Sequence, residues 1–488
     1  MTTNTSHCPS NYADQCYDLV IIGAGPAGMS AAITASSRDV SVLVLDEKSA
    51  PGGQIYRNVQ QPVMASPERL GEEYLQGKAL ADAFQNSPAQ CLYNTKVWHL
   101  GDTGEILFSI DQTSQRIYAR EVLVTVGAME RPFPIPGWHL PGVMSAGSAQ
   151  AMLKSDAMVA EDGIFVGSGP LLYLIVNQYL RFGVPIKAVI DTTPASNYAA
   201  ASKHLGHALS DIATLKTGMQ LLRQIKHAKV PTYRFAKDLK IQANTDDVAA
   251  NLISFTTAGT HGDTTHSLTS EHIFLHQGVI PNLNLTRAAG LEHAWNQAQL
   301  SWQPVHDKWG QSSIDNISVA GDASAIVGAN GSQIMAKIAA WNLIYRLGKA
   351  TIEDRDDATK IHFKQLHKLN QFRKFIDRLY QPTPALRIPQ DPTTIVCRCE
   401  ELSLQDLRQG FDEGAIGPQE LKAATRCGMG PCQGRQCGHT VSEILANWRQ
   451  TSVNEVGYYR LRSPTRPLTL LELSQFQQPA ILDTKGHE

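Results

Sequence analysis

The run YDLVII at residues 17–22 is apolar and β-branched, the pattern of a buried strand, and GAGPAG at 23–28 ends it. An alanine-rich stretch, MSAAITASS, reads as a helix, and VSVLVL as a second strand closing on Asp46 and Glu47. Strand, glycine turn, helix and strand in that order predict a βαβ unit. A Gly/Pro loop, PGGQIYRN, follows. The pattern is then polar and helical around residues 67–86, with strands expected at 105–110 and 121–126. Residues 131–143, RPFPIPGWHLPGV, carry four prolines and two glycines. That density excludes a sheet strand and predicts a rigid crossing segment.

The alternation restarts at Gly163. GIFVGSGPLLYLIVNQYLRFGV reads as strand, glycine turn and helix, and IKAVID as a strand ending at Asp191. The stretch 195–250 reads as helical and mixed, and EHIFLHQG at 271–278 as a strand. ISVAGD at 317–322 is a strand meeting a Gly-Asp corner, followed by the helix SQIMAKIAAWNLIYRLG. QPTPALRIPQDP at 381–392 reads as a linker. The expected division is a disordered tail at 1–16 and a first dinucleotide domain split into 17–150 and 275–348. A second Rossmann-like domain follows at 151–274, then a helical segment and Pro-rich linker at 349–392. A small module at 393–447 and a tail at 448–488 complete the chain.

The first motif fits G-x-G-x-x-G. Gly23 permits the tight turn, Gly25 lets backbone approach a pyrophosphate, and Gly28 lets the helix pack on the strand. Pro26 and Ala27 open the helix whose N-terminus would face the phosphates. Asp46 or Glu47 is the acid for an adenosine ribose. The second motif, Gly167-Ser168-Gly169, has Asp191 at a suitable distance but Leu172 in place of the third glycine. It reads either as a second nucleotide site, for NAD(P) or ATP, or as a vestigial Rossmann domain. Gly321 and Asp322 form a third element, where a carboxylate can reach the ribityl hydroxyls of a flavin. With the strand end Thr125-Val126-Gly127-Ala128, these elements make the pattern of a FAD domain interrupted by a second dinucleotide domain. Gly53 and Gln54 of the PGGQ loop join the candidate FAD residues.

Charge excludes some function classes. Lys plus Arg number 43 against 45 acids, a net charge of −2, with no bulk basic excess to hold nucleic acid. No run of about 18 uncharged apolar residues predicts a transmembrane helix. The polar N-terminus lacks the apolar core of a secretory signal. A cytoplasmic protein is expected, meeting a membrane only through its electron acceptor.

Five of the eight cysteines fall between residues 397 and 437, a local cluster that suits a metal better than a disulfide framework. Cys397 and Cys399 form a C-x-C, too tight for the usual zinc knuckle. Cys427, Cys432 and Cys437 lie in CGMGPCQGRQC, whose glycines let backbone N–H groups approach sulfide. An iron–sulfur cluster is expected. A helix read at 418–426 places Cys427 at its C-terminus, where the dipole opposes a thiolate. Cys437 precedes Thr440-Val441-Ser442-Glu443, a capping-box pattern, and so lies near a helix N-terminus that favours one. Cys432 sits in the turn between them.

Residues 17–348 resemble the glutathione-reductase-like flavoproteins. The expected fold class is therefore α/β: two Rossmann-like dinucleotide-binding domains followed by a small α-helical [2Fe–2S] module. Pro51–Tyr56 and residues 140–155 lack the cysteine pair that disulfide reductases need, so dithiol exchange is disfavoured. VCRCEELSLQDLRQG and LKAATRCGMGPCQGRQCG resemble the bacterioferritin-associated-ferredoxin-like [2Fe–2S] domain. Together with LDEKSAPGGQIYR, GAMERPFPIPGWHLPGV and GSGPLL, they resemble the α subunits of hydrogen cyanide synthases, opine oxidases and D-hydroxyproline dehydrogenases. The resemblance implies FAD, a [2Fe–2S] cluster on Cys397, Cys399, Cys432 and Cys437, and a hetero-oligomer. In it, a β subunit of amino-acid-oxidase type would oxidise the C–N bond of a small amine. It leaves open an FMN at a subunit interface and a small ferredoxin-like γ subunit. No catalytic base for the C–N step is identified in this chain.

The expected role is relay of electrons from the partner to an acceptor other than oxygen. The rivals are a self-contained NAD(P)H:acceptor reductase and a non-catalytic electron-relay scaffold. Phe133, Trp138 and His139 of the crossing segment, and the tail after Trp448, are subunit contacts or intramolecular packing. His261, His266, His272 and His276 straddle a loop and a strand and are not read as a metal site.

Overall fold

The computed structural model describes residues 16–475 except 65, 246, 248, 260 and 261. The expected disordered tail at 1–16, apart from Cys16, and positions 476–488 lie outside the described residues, as does His261.

The first sheet is built as the pattern predicts. β1 (Cys16–Ile22), α1 (Pro26–Ser36) and β2 (Val42–Leu45) form the βαβ opening. α2 (Glu72–Gln85), β3 (Gln90–Leu92) and a meander of β4 (Lys96–Leu100), β5 (Glu105–Ile110) and β6 (Thr113–Val124) follow. β6 is twelve residues long because it serves two sheets in one. Its first half pairs antiparallel with β5, and its second half pairs parallel with β1. Register sets the site: Ile22 stands opposite both Leu45 and Val124. The residues just beyond, Gly23, Asp46 and Thr125, therefore meet at the carboxyl ends of parallel strands, where open α/β sheets bind ligands.

The second sheet repeats this plan. β7 (Ala128–Glu130) leads into the crossing segment, then β8 (Val143–Ser145), α3 (Ala146–Asp156), β9 (Gly163–Gly167), α4 (Pro170–Arg181) and β10 (Ile186–Asp191). Helices α5 to α7 (Ala195–Ser202, Leu205–Ala208, Ile212–His227) lead to β11 (Thr232–Arg234). A three-stranded antiparallel sheet follows: β12 (Ala236–Ala243), β13 (Asn251–Gly259) and β14 (Gly262–Ser270). β15 (Ile273–His276) then returns to the parallel sheet, whose order is β11-β10-β9-β15-β8. Two expectations are corrected. Residues 232–243 are strands, inside a stretch read as helical and mixed. The boundaries 150/151 and 274/275 also cut the second sheet, since β8 and β15 pair with each other inside it.

β16 (Val279–Pro281), α8 (Asn284–Ala288) and a hairpin of β17 (His293–Asn296) and β18 (Ser301–Pro304) lead to β19 (Ile317–Val319). β19 pairs parallel with β6, Val319 opposite Val124, which delivers Gly321 and Asp322 to the first site. α9 (Gly328–Arg346) packs on α1. α10 (Ile352–Leu379) begins with a capping box, Thr351 with Asp354, so the acidic run 353–357 is its first turns.

The Pro-rich segment is not a solvated linker. Leu386 is buried in the core of the second domain, Gln277 donates to its carbonyl at 2.9 Å, and buried Arg387 pairs with Glu443. The C-terminal module holds β20 (Ile395–Cys397), β21 (Leu402–Ser403), α11 (Leu404–Asp412), α12 (Pro418–Thr425) and α13 (Gly438–Arg449). Phe133 and Trp138 are buried, and the Trp138 indole donates to the Ile395 carbonyl at 2.6 Å. These two are packing, whereas His139 next to Trp138 is exposed. The tail after Trp448 is likewise folded inward as far as Leu461, with Tyr458 and Tyr459 in the module's core. No helix among the described residues is long and apolar enough to cross a membrane.

Candidate functional site

A cleft of about 850 Å³ runs between the two parallel sheets. Gly23, Gly25, Pro26, Ala27, Asp46, Glu47, Gly53, Gln54, Thr125, Gly127 and Asp322 line it. Gly23 has φ +109°, and a Cβ there would lie 2.6 Å from the Thr125 carbonyl oxygen. Thr125 in turn donates its hydroxyl to the Gly23 carbonyl at 2.8 Å. Gly28 and Gly321 stand behind the lining as packing positions. A Cβ on Gly28 would lie 1.8 Å from the Gly23 carbonyl oxygen, and one on Gly321 2.9 Å from Ala27 Cβ. Gly25 is different. Its φ is ordinary, the nearest atom to a new Cβ is 3.9 Å away, and no side chain caps the helix it starts. The N-terminus of α1 is open toward the cleft, as a pyrophosphate seat requires.

The two candidate acids separate by hydrogen bonding. Asp46 accepts from the backbone N–H of Ala24 at 2.5 Å and of Lys48 at 2.7 Å, so it fastens the turn. Burial raises its carboxyl above the usual range. Glu47 instead meets side chains, Arg466 at 2.5 Å and Lys48 at 3.5 Å. Burial acts to raise Glu47, but Arg466 and Lys48 outweigh it and hold the carboxyl below the usual range. Asp322 Oδ1 accepts from the N–H of Val327 at 2.8 Å and Gly328 at 2.9 Å, at the start of α9. The open helix end, the pair of acids and the glycine cradle fit a dinucleotide flavin.

The second glycine motif has the same backbone and a different setting for its acid. Gly167 stands opposite both Asp191 and His276 in the sheet. Asp191 accepts from the Thr193 N–H at 2.9 Å and is absent from the cleft lining. Tyr173, pushed up by burial and by Asp191, covers it, with the Tyr380 ring 6.2 Å away. Asn197 donates to the carbonyls of Leu379 and Gln381 at 3.0 and 2.8 Å, which holds the end of α10 on this domain. On the phosphate side, His276 Nδ1 lies 2.8 Å from Glu130 Oε2, and Glu130 Oε1 accepts from the Gly147 N–H at 2.7 Å. A Cβ on Gly169 would lie 3.8 Å from His276 Nε2. The acid of the second motif is thus covered by the chain's own groups, while its glycine turn, Ser168 to Leu171, lines the cleft as Gly25 does.

Lys154 on α3 also lines the cleft. It is 1% exposed and donates to the Ile55 carbonyl at 2.8 Å. Burial, reinforced by Arg57, pushes its ammonium down to about 7.

In the module, the thiols of Cys397, Cys427 and Cys437 lie within 4.8 Å of one another. Cys399 and Cys432 hydrogen-bond each other. A Cβ on Gly430 would come 2.3 Å from Cys399 Cβ, so the loop needs glycine to bring the cysteines together. Cys437 is the N-cap of α13, the helix start expected for it, but its hydrogen bonds to Cys397 and Cys427 and its burial hold the thiol well above the usual range. Two details differ from expectation. The helix starts at Gly438, so Thr440 and Glu443 lie inside it rather than at its cap. Cys427 follows a left-handed Arg426 and turns inward, joining the thiol group instead of standing apart. The Tyr459 hydroxyl donates to Cys427 Sγ at 3.3 Å. A clustered set of thiols suits iron–sulfur ligation.

Module and cleft are continuous. Arg435, between Cys432 and Cys437, lines the cleft together with Thr465 and Arg466. Asn284, another lining residue, donates to the Gln433 carbonyl at 3.3 Å. The Thr465 N–H donates to the Trp98 carbonyl at 2.9 Å. Glu130, Lys154, His276, Arg435 and Arg466 escape a reading of motifs. They come from separate elements, and only the strand register that puts His276 beside Gly167 could have hinted at one of them.

Residues 17–342 match the family described as pyridine nucleotide-disulphide oxidoreductase, and residues 395–447 the BFD-like [2Fe-2S] binding domain. The chain is 39% identical to an opine oxidase subunit of Rhizobium meliloti, covering 95% of this chain and 88% of the relative. It is 28% identical to the hydrogen cyanide synthase subunit HcnB of Pseudomonas aeruginosa, covering 92% and 96%. Among solved structures, L-proline dehydrogenase from P. horikoshii aligns with a TM-score of 0.67 at 17% identity, over 94% of this chain and 79% of that one. That similarity concerns the fold alone.

Proposed function

Since the chain belongs to the pyridine nucleotide-disulphide oxidoreductase family, with an opine oxidase subunit and HcnB as relatives, we propose that it relays electrons within a heteromeric dehydrogenase. It is an oxidoreductase subunit with FAD and a [2Fe–2S] cluster as its cofactors. The electrons come from an amino acid, opine or related amine oxidised in a partner β subunit, and they leave for an external acceptor. FAD supplies two-electron acceptance and the cluster one-electron transfer, so the chain splits an electron pair. Gly23, Gly25 and the N-terminus of α1 bind the pyrophosphate, Glu47 orients the adenosine ribose, and Asp322 the ribityl chain. Cys397, Cys399, Cys432 and Cys437 hold the cluster.

One observation carries the reading: the cluster loop lines the flavin cleft, while Asp191, the acid of the second motif, is held by its own loop and covered by Tyr173. An electron exit adjoins the flavin, and the acid that a pyridine nucleotide's ribose would need does not line the cleft. The test is anaerobic flavin spectroscopy. The chain alone should not bleach with NADH or NADPH. With its co-purified partner, an opine or amino acid should bleach the flavin and produce the reduced-cluster EPR signal. Rapid bleaching by NAD(P)H would move the assignment to a self-contained reductase.

A further inference from the structure

The corner of the cleft beside Glu47 is built from both ends of the chain. Lys48 comes from the first domain, Arg435 from the cluster loop and Arg466 from the C-terminal segment, and all three line the cleft. Two carboxylates oppose these three cations. Asp46 is taken up by backbone N–H groups, and Glu47 by Arg466 and Lys48. Arg435 is left over. Among the described residues its only hydrogen bond is a long one, Nη2 to the Thr465 carbonyl at 3.5 Å, and its buried Nε has no partner. A half-buried guanidinium with free donors, in a cleft that the open N-terminus of α1 also lines, is matched by a phosphate, which takes a fork of N–H donors.

We propose that Arg435 is a ligand of the dinucleotide's pyrophosphate, so that the cluster module completes the flavin site. The inference rests on the FAD assignment and deepens it. The backbone that carries cluster cysteines Cys432 and Cys437 also carries, three and two residues away, a flavin contact. Flavin binding and docking of the module are then linked: a ligand held by both bodies favours the docked arrangement. The contacts that seat the loop serve the same end. Ser463 Oγ lies 2.7 Å from His99 Nδ1 and Thr465 is bonded to Trp98, which anchors the strap on β4 and sets the height of Arg435 above the cleft.

The test uses the purified complex carrying Arg435→Gln or Arg435→Lys. FAD, iron and acid-labile sulfide are measured per chain. Flavin-stripped complex is then titrated with ADP and with adenosine. Arg435→Gln should weaken ADP about tenfold or more, the worth of a charge-assisted hydrogen bond, and lower flavin retention with it. Adenosine affinity, iron and sulfide should stay as in wild type, and Arg435→Lys should fall between. Unchanged ADP affinity in Arg435→Gln overturns the inference. So does an equal loss for ADP and adenosine, which would make Arg435 a structural or base-stacking residue. If Arg435→Gln loses its iron, Arg435→Lys decides: with iron retained, its ADP affinity must drop while adenosine does not. A wild-type complex without FAD would instead remove the underlying assignment.

Discussion

The two glycine motifs of this chain fold into the same shape and differ in the setting of their acids. In each, the parallel register gathers a glycine turn, an acid and a neighbouring strand end at one sheet edge. At the first, Gly25 opens onto the cleft and Glu47 presents a carboxylate to side chains alone. At the second, Asp191 is bonded to its own loop and covered by Tyr173, with Tyr380 at the end of α10 beside it, while Ser168 and Gly169 line the same cleft. A fingerprint therefore specifies a backbone cradle, and the surrounding side chains specify whether a ligand can use it.

The largest effect should come from the open cradle. Gly25→Val introduces no left-handed strain, because Gly25 has φ −75°, so the chain should fold yet retain almost no flavin. Flavin absorbance of the purified variant checks this, and normal yellow protein would break the contrast.

A second comparison applies to the cysteines. Cys427 and Cys437 are both buried and both meet the Tyr459 hydroxyl, at 3.3 and 3.9 Å. But Cys427 follows the C-terminus of α12 whereas Cys437 caps the N-terminus of α13, and Cys432 and Cys437 flank the loop that meets the cleft. Cys427→Ser should keep the cluster, and Cys432→Ser or Cys437→Ser should lose most of it. Iron and sulfide analysis with EPR decides. Loss in Cys427→Ser with retention in Cys432→Ser would overturn the ligand assignment.

Lys154 lies in the cleft between the cradles, and its effect is on stability. Its ammonium is lowered from 10.5 to about 7. Between these values the unfolded chain binds the extra proton, so this group makes stability rise with pH. Below about 7 the full penalty stands. Lys154→Met should therefore stabilise by up to about 5 kcal/mol below pH 7, and the gain should fade as pH approaches 10.5. Thermal melts at about pH 6 and about pH 10 read it, and a gain independent of pH would count against a buried amine.

The smallest effect concerns the second glycine turn. Glu130→Ala leaves the Gly147 N–H and His276 without their partner, at a cost of about 1–3 kcal/mol. Flavin content should be unchanged, and Glu130→Gln should cost less. A parallel loss of flavin would show that the second cradle supports the first.

Much of the first site was legible because its determinants are local. Gly23, Gly25, Gly28, Asp46 and the Gly321-Asp322 corner sit at fixed offsets from apolar runs, and short-range backbone geometry alone places them at strand ends. The same holds for Cys437, whose helix N-terminus is written in the next few residues. Asp46 against Glu47 was not decidable, since the choice turns on which carboxylate the Ala24 N–H reaches and on Arg466, which arrives from the far end of the chain.

The amino-acid sequence by itself thus determined two dinucleotide folds and a cysteine module, because hydrophobic period and glycine spacing act over a few residues. Only the tertiary structure decided that the acid of the second motif is covered, that Cys427 turns inward, and that Arg435 and Arg466 enter the cleft. These outcomes depend on contacts between segments far apart in the chain. Burial and hydrogen-bond satisfaction, not local propensity, select among them, and neither has a period that a linear reading can detect.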